Sequence, residues 1–226
     1  DPRDKRLRSS ALISAGDVNI LIDAGPDFRQ QMLRANVRHL EAIVLTHEHN
    51  DHVIGLDDIR PFNFNSGKPM RVYALPRVAA EVQKRFEYIF GKPVPGLPRV
   101  ELIDIEPDRP FVLEGVTVQP IGIQHGRLPI LGYRFGDLTY LTDVKSVLPE
   151  ELQKIKGTKY LITSALHHDN HPTHMNLKEA LELVGKIAPE QAWLTHISHN
   201  MGLAADVGRQ LGPGISLAYD GLEIKF

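Results

Sequence analysis

The stretch AIVLTHEHNDH, which begins at position 42, most constrains what this chain can fold into. Its first five residues, Ala42–Thr46, are apolar or β-branched and predict a buried strand. His47 and His49 follow two residues apart, so on extended backbone their side chains point the same way. Asp51 and His52 come where the chain must already turn. The stretch therefore predicts two clustered groups of nitrogen and oxygen ligands, of the kind that suits Zn²⁺, Mn²⁺ or Fe.

Composition predicts an ordinary soluble domain. The chain has 226 residues, of which 42% are apolar and 24% charged, with a net charge of −2. No apolar run is long enough to span a membrane, and the charged start DPRDKRLRSS is unlike a signal peptide. The chain contains no Cys, which excludes disulfides and thiolate metal ligands and favours the cytoplasm. We expect a single domain over residues 1–226, with no membrane contact.

Strand patterns dominate both halves of the chain, with helical patterns between them, so the sequence predicts an α/β or α+β fold with two sheets. Asn176 is expected to cap a helix over Leu177–Ala188. Strands over Ile215–Tyr219 and Leu222–Phe226 are expected to close the chain as a hairpin. The Pro- and Gly-rich residues 91–98 predict a connector.

Three further ligand-type side chains each follow a predicted strand. His125 follows Ile121–Ile123, Asp143 ends the YLTD segment, and His196 follows Gln191–Thr195. Taken singly, each is more often a structural histidine or a turn aspartate. Together they indicate a shared binding site more strongly than any one of them does, because such sites form where strand ends meet at one edge of a sheet.

The motif THEHNDH resembles the T-H-x-H-x-D-H signature of the metallo-β-lactamase-fold hydrolases. Further segments, among them IDAGPDFRQQM, YLTDV, HPTHMNLKEAL and LTHISH, resemble the phosphoribosyl cyclic phosphodiesterase group of that superfamily. The resemblance covers nearly the whole chain. It implies a four-layer αββα sandwich with the metals at one edge between the sheets. It also implies that the family's first strand, a Gly-rich turn and a Cys cluster would precede Asp1.

The resemblance implies two Zn²⁺ or Mn²⁺ ions with a bridging hydroxide as the nucleophile, and it makes Asp51 and Asp143 catalytic as well as metal-binding. Paired cations lower the pKa of bound water toward about 7. The implied ligands are His47, His49 and His125 for one ion, Asp51, His52 and His196 for the other, and Asp143 between the two. His199 would complete a structural zinc in relatives that have the Cys cluster, and it is not included here.

The loop LHHDNHPTH, residues 166–174, carries four histidines. His174 lies 22 residues before His196, a spacing similar to that of the general-acid histidine in phosphodiesterase members of the superfamily. The resemblance therefore implies that His174 protonates the leaving oxygen. Asp169 is the candidate carboxylate for orienting it. His167, His168 and His171 stay open between a solvated loop and a functional role.

The predicted function is hydrolysis of a small cyclic or nucleotide-like phosphodiester. A tRNA 3′-processing nuclease of the tRNase Z type is the first alternative, but the net charge of −2 and the short connector argue against a nucleic-acid substrate. A thioester or lactone hydrolase is the second alternative, and a non-enzymatic metal-binding module is the third. A homodimer is left open.

Overall fold

The structure is a computed structural model that describes residues 1–92 and 94–226. By internal contacts the described residues separate into two compact units. The N-terminal unit comprises Arg8–Glu106 and Leu113–Val116, and the C-terminal unit comprises Asp1–Leu7, Pro107–Val112 and Thr117–Phe226. The predicted connector over residues 91–98 includes residue 93, which lies outside the described residues.

The N-terminal unit is built on a sheet in which five described strands follow the order β1-β2-β3-β4-β5. These are β1 Ala11–Ala15, β2 Val18–Ile22, β3 Ala42–Val44, β4 Met70–Ala74 and β5 Val100–Asp104. Strand β1 pairs antiparallel with β2, and the remaining pairings are parallel. All three residues of β3 are fully buried, which is why this strand reads as a continuous apolar run. Because β2 and β3 are parallel, the residues after them meet at one edge.

Five helices of the described residues accompany this sheet. They are α1 Phe28–Arg34, α2 Asn50–Val53, α3 Arg60–Ser66, α4 Pro76–Arg85 and α5 Glu87–Phe90, with a 3₁₀ turn over Ile54–Ile59. Helix α4 begins with a proline at its first position, where the missing N–H costs nothing. Its residues Val78, Ala79 and Val82 are buried in the core of the unit, so the helix is firmly seated.

The second sheet has the order β10-β7-β8-β9-β11-β12-β13 with β6 beside β7, and apart from Leu113 and Val116 its residues belong to the C-terminal unit. Its described strands are β6 Phe111–Leu113, β7 Val116–His125, β8 Leu128–Phe135, β9 Leu138–Leu141, β10 Ser146–Val147, β11 Tyr160–Ser164, β12 Gln191–Thr195 and β13 Ile215–Leu217. The helices of the C-terminal unit are α6 Pro149–Ile155, α7 Leu177–Ile187 and α8 Ala204–Gly208. Strands β9, β11, β12 and β13 are parallel, and β7 runs in the same direction because β8 is antiparallel to both β7 and β9. The carboxyl ends of β7, β9 and β12 therefore share one edge.

The prediction of two sheets with helices is confirmed, and Asn176 caps α7 in a full capping box with Glu179. The predicted closing hairpin is wrong. Strand β13 pairs parallel with β12, and no strand is found over residues 222–226. Asp220, in the predicted hairpin turn, contacts the N-terminal segment instead: its Oδ2 accepts a hydrogen bond from Leu7 N at 3.0 Å.

None of the helices in the described ranges has the length and apolar character needed to cross a bilayer. The cytoplasmic location and the homodimer stay predictions.

Candidate metal centre

The THEHNDH segment forms a compact cluster of side chains in the N-terminal unit, directly after β3. His47 and His52 are buried, with ring centroids 4.2 Å apart. His47 Nε2 lies 2.9 Å from His49 Nδ1. Asp51 Oδ2 lies 3.6 Å from His52 Nε2. The structure thus brings together within this unit the four ligand-type side chains that the sequence placed in one segment.

Asp23, a buried aspartate that no sequence pattern marks as functional, orients this cluster. Asp23 follows β2, is fully buried and has a positive φ of 62°. Its Oδ2 accepts from His52 Nδ1 at 2.7 Å and from Thr46 Oγ1 at 2.8 Å. Because the Thr46 hydroxyl proton is used there, His47 Nδ1 must donate to Thr46 Oγ1, 2.9 Å away. Asp23 therefore fixes the tautomer of both His47 and His52, so that each carries its lone pair on Nε2.

Two glycines let the ligand segment pack against the turn that holds Asp23. A Cβ on Gly25 would lie 2.2 Å from the carbonyl oxygen of Asp51, and a Cβ on Gly55 would lie 2.1 Å from that of Gly25. The segments are joined by backbone hydrogen bonds from Ala24 N to His52 O at 2.7 Å and from Gly55 N to Ala24 O at 2.8 Å. Only glycine fits such approaches, so these positions fix the height of the ligand loop over the sheet.

Four polar side chains meet at the carboxyl edge of the second sheet, within the C-terminal unit. His196 Nε2 lies 3.2 Å from Asp143 Oδ1, and His174 Nδ1 lies 3.6 Å from the same oxygen. The rings of His174 and His196 stack with centroids 5.0 Å apart, and the rings of His125 and His174 are 4.5 Å apart. The predicted strand-end residues are therefore assembled in this unit, together with His174 from the loop.

The backbone holds these groups in defined and partly strained conformations. His125 Nδ1 faces two carbonyl oxygens at 2.9 Å, those of Asp143 and Thr173, so Nδ1 carries the proton and Nε2 the lone pair. Thr142 Oγ1 donates to Asp143 Oδ2 at 2.8 Å. Asp143 and His196 both adopt positive φ, 55° and 52°, which non-glycine residues rarely do. Such outliers concentrate at functional sites.

The side chain of His174 is only 12% exposed, and its Nδ1 is a buried atom without a hydrogen-bond partner among the described residues. Its pKa is lowered to about 3, chiefly by burial, with smaller lowering by His196, His125 and His171 and an opposing effect of Asp143. Asp169, the predicted orienting carboxylate, is exposed, and its backbone N–H donates to His167 Nδ1 at 3.1 Å. The orienting role assigned to Asp169 is therefore wrong, because Asp143 is the carboxylate beside His174.

The remaining histidines of the C-terminal unit have varied surroundings. His168 Nε2 lies 2.9 Å from the carbonyl oxygen of Met201. The ring of His171 lies 5.0 Å from that of His174, and burial lowers the pKa of His171. His199 is exposed. The ring of His168 thus contacts the backbone, whereas the ring of His171 lies next to His174 at the edge of the cluster of His125, Asp143, His174 and His196.

The donor chemistry of both units fits a divalent cation. In the C-terminal unit the ligand atoms of His125, Asp143 and His174 all lie within 4.8 Å of one another. Imidazole nitrogens with carboxylate oxygens are the donors that Zn²⁺ and Mn²⁺ take, and the fixed His125 tautomer presents the correct nitrogen. The buried Nδ1 of His174, which has no hydrogen-bond partner among the described residues, lies 3.6 Å from Asp143 Oδ1. The geometry therefore permits a ligand role for His174 as well as the predicted acid role.

Comparison with known proteins identifies the family. The family described as the beta-lactamase superfamily domain matches residues 18–197. The chain belongs to this superfamily. It is similar to a solved diphosphatase from the PhnP family, with 36% identity and a TM-score of 0.93 over all of this chain and 87% of that one. The metallo-β-lactamase fold and the metal-dependent hydrolase class are thereby confirmed, while the individual ligand assignments remain predictions.

The chain matches only part of the length of two curated relatives. The chain is 42% identical over 227 residues to an octanoyltransferase of Porphyromonas gingivalis (strain ATCC BAA-308 / W83), with 99% of this chain and 46% of that protein covered. It is 27% identical over 140 residues to a ribonuclease Z of Bradyrhizobium sp. (strain ORS 278), with 59% of this chain and 46% of that protein covered. The chain therefore spans about half the length of these curated relatives.

Proposed function

We propose that this domain is a dinuclear phosphodiesterase that cleaves a small cyclic or nucleotide-like phosphodiester, of the phosphoribosyl 1,2-cyclic phosphate type. The observation that carries the proposal is the placement of His174, whose Nδ1 lies 3.6 Å from Asp143 Oδ1 and whose ring packs against His125 and His196. A histidine there supplies a proton donor beside a hydrolytic centre, which an alkoxide leaving group requires. The similarity to a PhnP-family diphosphatase supports phosphoryl chemistry.

The ligand assignment within this proposal is the one that the family resemblance implies. We propose His47, His49 and His125 for one ion, Asp51, His52 and His196 for the other, and Asp143 for both. The tautomers support it, because His47, His52 and His125 each hold their proton on Nδ1 and so present Nε2 as the donor atom. When bound, two divalent cations would supply the charge that activates a water molecule and neutralises the phosphate oxygens. Zn²⁺ and Mn²⁺ both suit this donor set.

The acid role of His174 depends on the charge of the substrate. In the ion-free protein burial lowers the pKa of the His174 imidazole to about 3, so the acid role requires a bound group that favours its protonated form. A nearby anion favours the protonated form of a histidine and raises its pKa. The negative charge of a bound phosphodiester is such an anion, whereas neutral thioesters and lactones are not. A bound diester would thus favour protonation of His174 in a way that a neutral thioester or lactone would not.

Ribonuclease Z activity is the second candidate, and the match to the Bradyrhizobium enzyme is the observation that favours it. The net charge of −2 opposes it, since gripping an RNA backbone requires a concentration of basic side chains. The octanoyltransferase name belongs to a protein of which this chain covers less than half. That name makes octanoyl thioesters a necessary comparison substrate.

A substrate panel tests the proposal. The purified protein, loaded in parallel with Zn²⁺ or Mn²⁺, is assayed on a ribose cyclic phosphate, bis-nitrophenyl phosphate, a nitrophenyl phosphate monoester, an octanoyl thioester, a lactone and a precursor tRNA. We expect the highest kcat/KM on the cyclic and aryl diesters, because a diester offers one negative charge and two non-bridging oxygens to the cations. The same protein treated with chelator is the control and should be inactive on every substrate. Faster cleavage of the thioester, the lactone or the monoester would contradict the proposal, and a preference for precursor tRNA would favour the second candidate.

A further inference from the structure

Glu48 lies between two of the proposed ligands and makes two separate contacts to helix α4. Its side chain accepts a charge-assisted hydrogen bond from Arg77 at the start of the helix. Its backbone carbonyl oxygen accepts from Arg85 Nη1 at 2.5 Å, at the helix end. Both contacts lie within the N-terminal unit, and the proposed reaction uses none of these three residues. The segment His47-Glu48-His49 is therefore tied to α4 by side chain and main chain together.

The Glu48 contact is partly shielded from solvent. The side chain of Glu48 is 16% exposed and that of Arg77 is 36% exposed. The second carboxylate oxygen, Oε2, is buried and has no hydrogen-bond partner among the described residues. A carboxylate held in this way depends on its cation, because a buried charge left without a partner is costly. Glu48 therefore has one favourable position, which Arg77 determines.

That position constrains the neighbouring histidines through the alternation of side chains. On extended backbone, residues i and i+2 point to one side and residue i+1 to the other. The backbone at His49 is extended, with φ −64° and ψ 149°. Because the Glu48 side chain contacts α4, this alternation favours the opposite side of the segment for His47 and His49, whose Nε2 and Nδ1 atoms lie 2.9 Å apart. Helix α4 is a suitable support because Val78, Ala79 and Val82 anchor it in the core.

We propose that Arg77 and Arg85 are positioning residues, which act through Glu48 to hold His47 and His49 in the arrangement that binds a divalent cation. The proposal rests on the metal centre of the proposed function and adds that its affinity is set in part by α4. Without the two arginines, the segment from His47 to His49 would lose its contacts with α4, and more of its ordering would have to accompany cation binding. Outer contacts that orient ligands typically change metal affinity by about 10- to 100-fold.

The test measures metal affinity directly. Zinc dissociation constants are determined for the whole protein by competition with a chromophoric chelator, for the wild type and for Glu48→Ala, Glu48→Gln and Arg85→Met. We expect Glu48→Ala and Arg85→Met to weaken binding of one zinc equivalent by about 10-fold, with a smaller effect of Glu48→Gln, which keeps a hydrogen-bond acceptor for Arg77. The matched control is Lys84→Met, an exposed cation adjacent to Arg85 on the same helix. Its zinc affinity should equal that of the wild type.

Urea unfolding of the chelator-treated variants separates positioning from general stability. Weakened zinc binding with a wild-type unfolding midpoint, in Glu48→Gln or Arg85→Met, supports the proposal. An unchanged zinc dissociation constant in the folded variants overturns it, as does an equal loss of affinity in Lys84→Met. The readout does not use catalysis. A wild type that binds zinc but cleaves no diester would contradict the proposed function and leave this inference standing, whereas an active wild type with unaffected variants would overturn this inference alone.

Discussion

Replacing His174 by alanine is expected to lower kcat for an alkyl phosphodiester by about 10²–10⁴, the usual contribution of a general acid, with no change in metal content. The proposed ligand set is complete without His174, so the cations should remain. The loss should shrink with a nitrophenyl diester, because that leaving group needs little protonation. The measurement compares kcat for alkyl and aryl diesters in wild type and variant, together with metal equivalents per chain.

The control for this substitution is His168→Ala in the same loop. The imidazole of His168 contacts the carbonyl oxygen of Met201 rather than the clustered side chains, so its replacement should leave the ratio of alkyl to aryl rates unchanged. Equal losses on alkyl and aryl diesters in His174→Ala would contradict the acid role. Loss of a metal equivalent would show instead that the buried Nδ1 of His174 is a ligand, a role that its distance to Asp143 and His125 also permits.

Substitution of Asp143 is expected to remove both cations, whereas substitution of a ligand to one ion should chiefly remove that ion. Asp143 has a φ of 55°, where alanine is strained, so Asp143→Ala combines ligand loss with backbone strain. Asparagine tolerates this conformation and is the cleaner substitution. Metal analysis should show Asp143→Asn losing more metal than either His49→Ala or His196→Ala. Retention of one full equivalent in Asp143→Asn would contradict a shared ligand.

Much of this architecture could be predicted because the proposed ligand residues lie where local sequence patterns end. The apolar run Ala42–Thr46 marks a buried strand, and the histidines after it occupy the carboxyl edge of a parallel sheet. Asp143 and His196 follow strands β9 and β12 in the same way. The resemblance to the family then pointed to His174, which no periodic pattern distinguishes from the other histidines of its loop.

The features that escaped prediction depend on contacts between distant parts of the chain. Asp23 reads as a turn residue, because its neighbours Ala-Gly-Pro give a strong turn signal, and its bond to His52 becomes visible only in the fold. The signal that could have identified it is its place after a buried strand, which it shares with Asp143. Arg77 and Arg85 likewise read as solvated cations of an amphipathic helix until their contacts with Glu48 are known. The false closing hairpin has the same cause, since Asp220 binds Leu7 across the length of the chain.

The central claim, that two ligand sets hold two cations in one hydrolytic centre, is tested most directly by locating the metals. Anomalous scattering from crystals of the Mn²⁺- or Zn²⁺-loaded protein should show two ions per chain. One should be bound by His47, His49 and His125 and the other by Asp51, His52 and His196, with Asp143 bound to both and His174 to neither. A single ion with Asp51 and His196 unliganded, or two ions that share no ligand, would contradict the account.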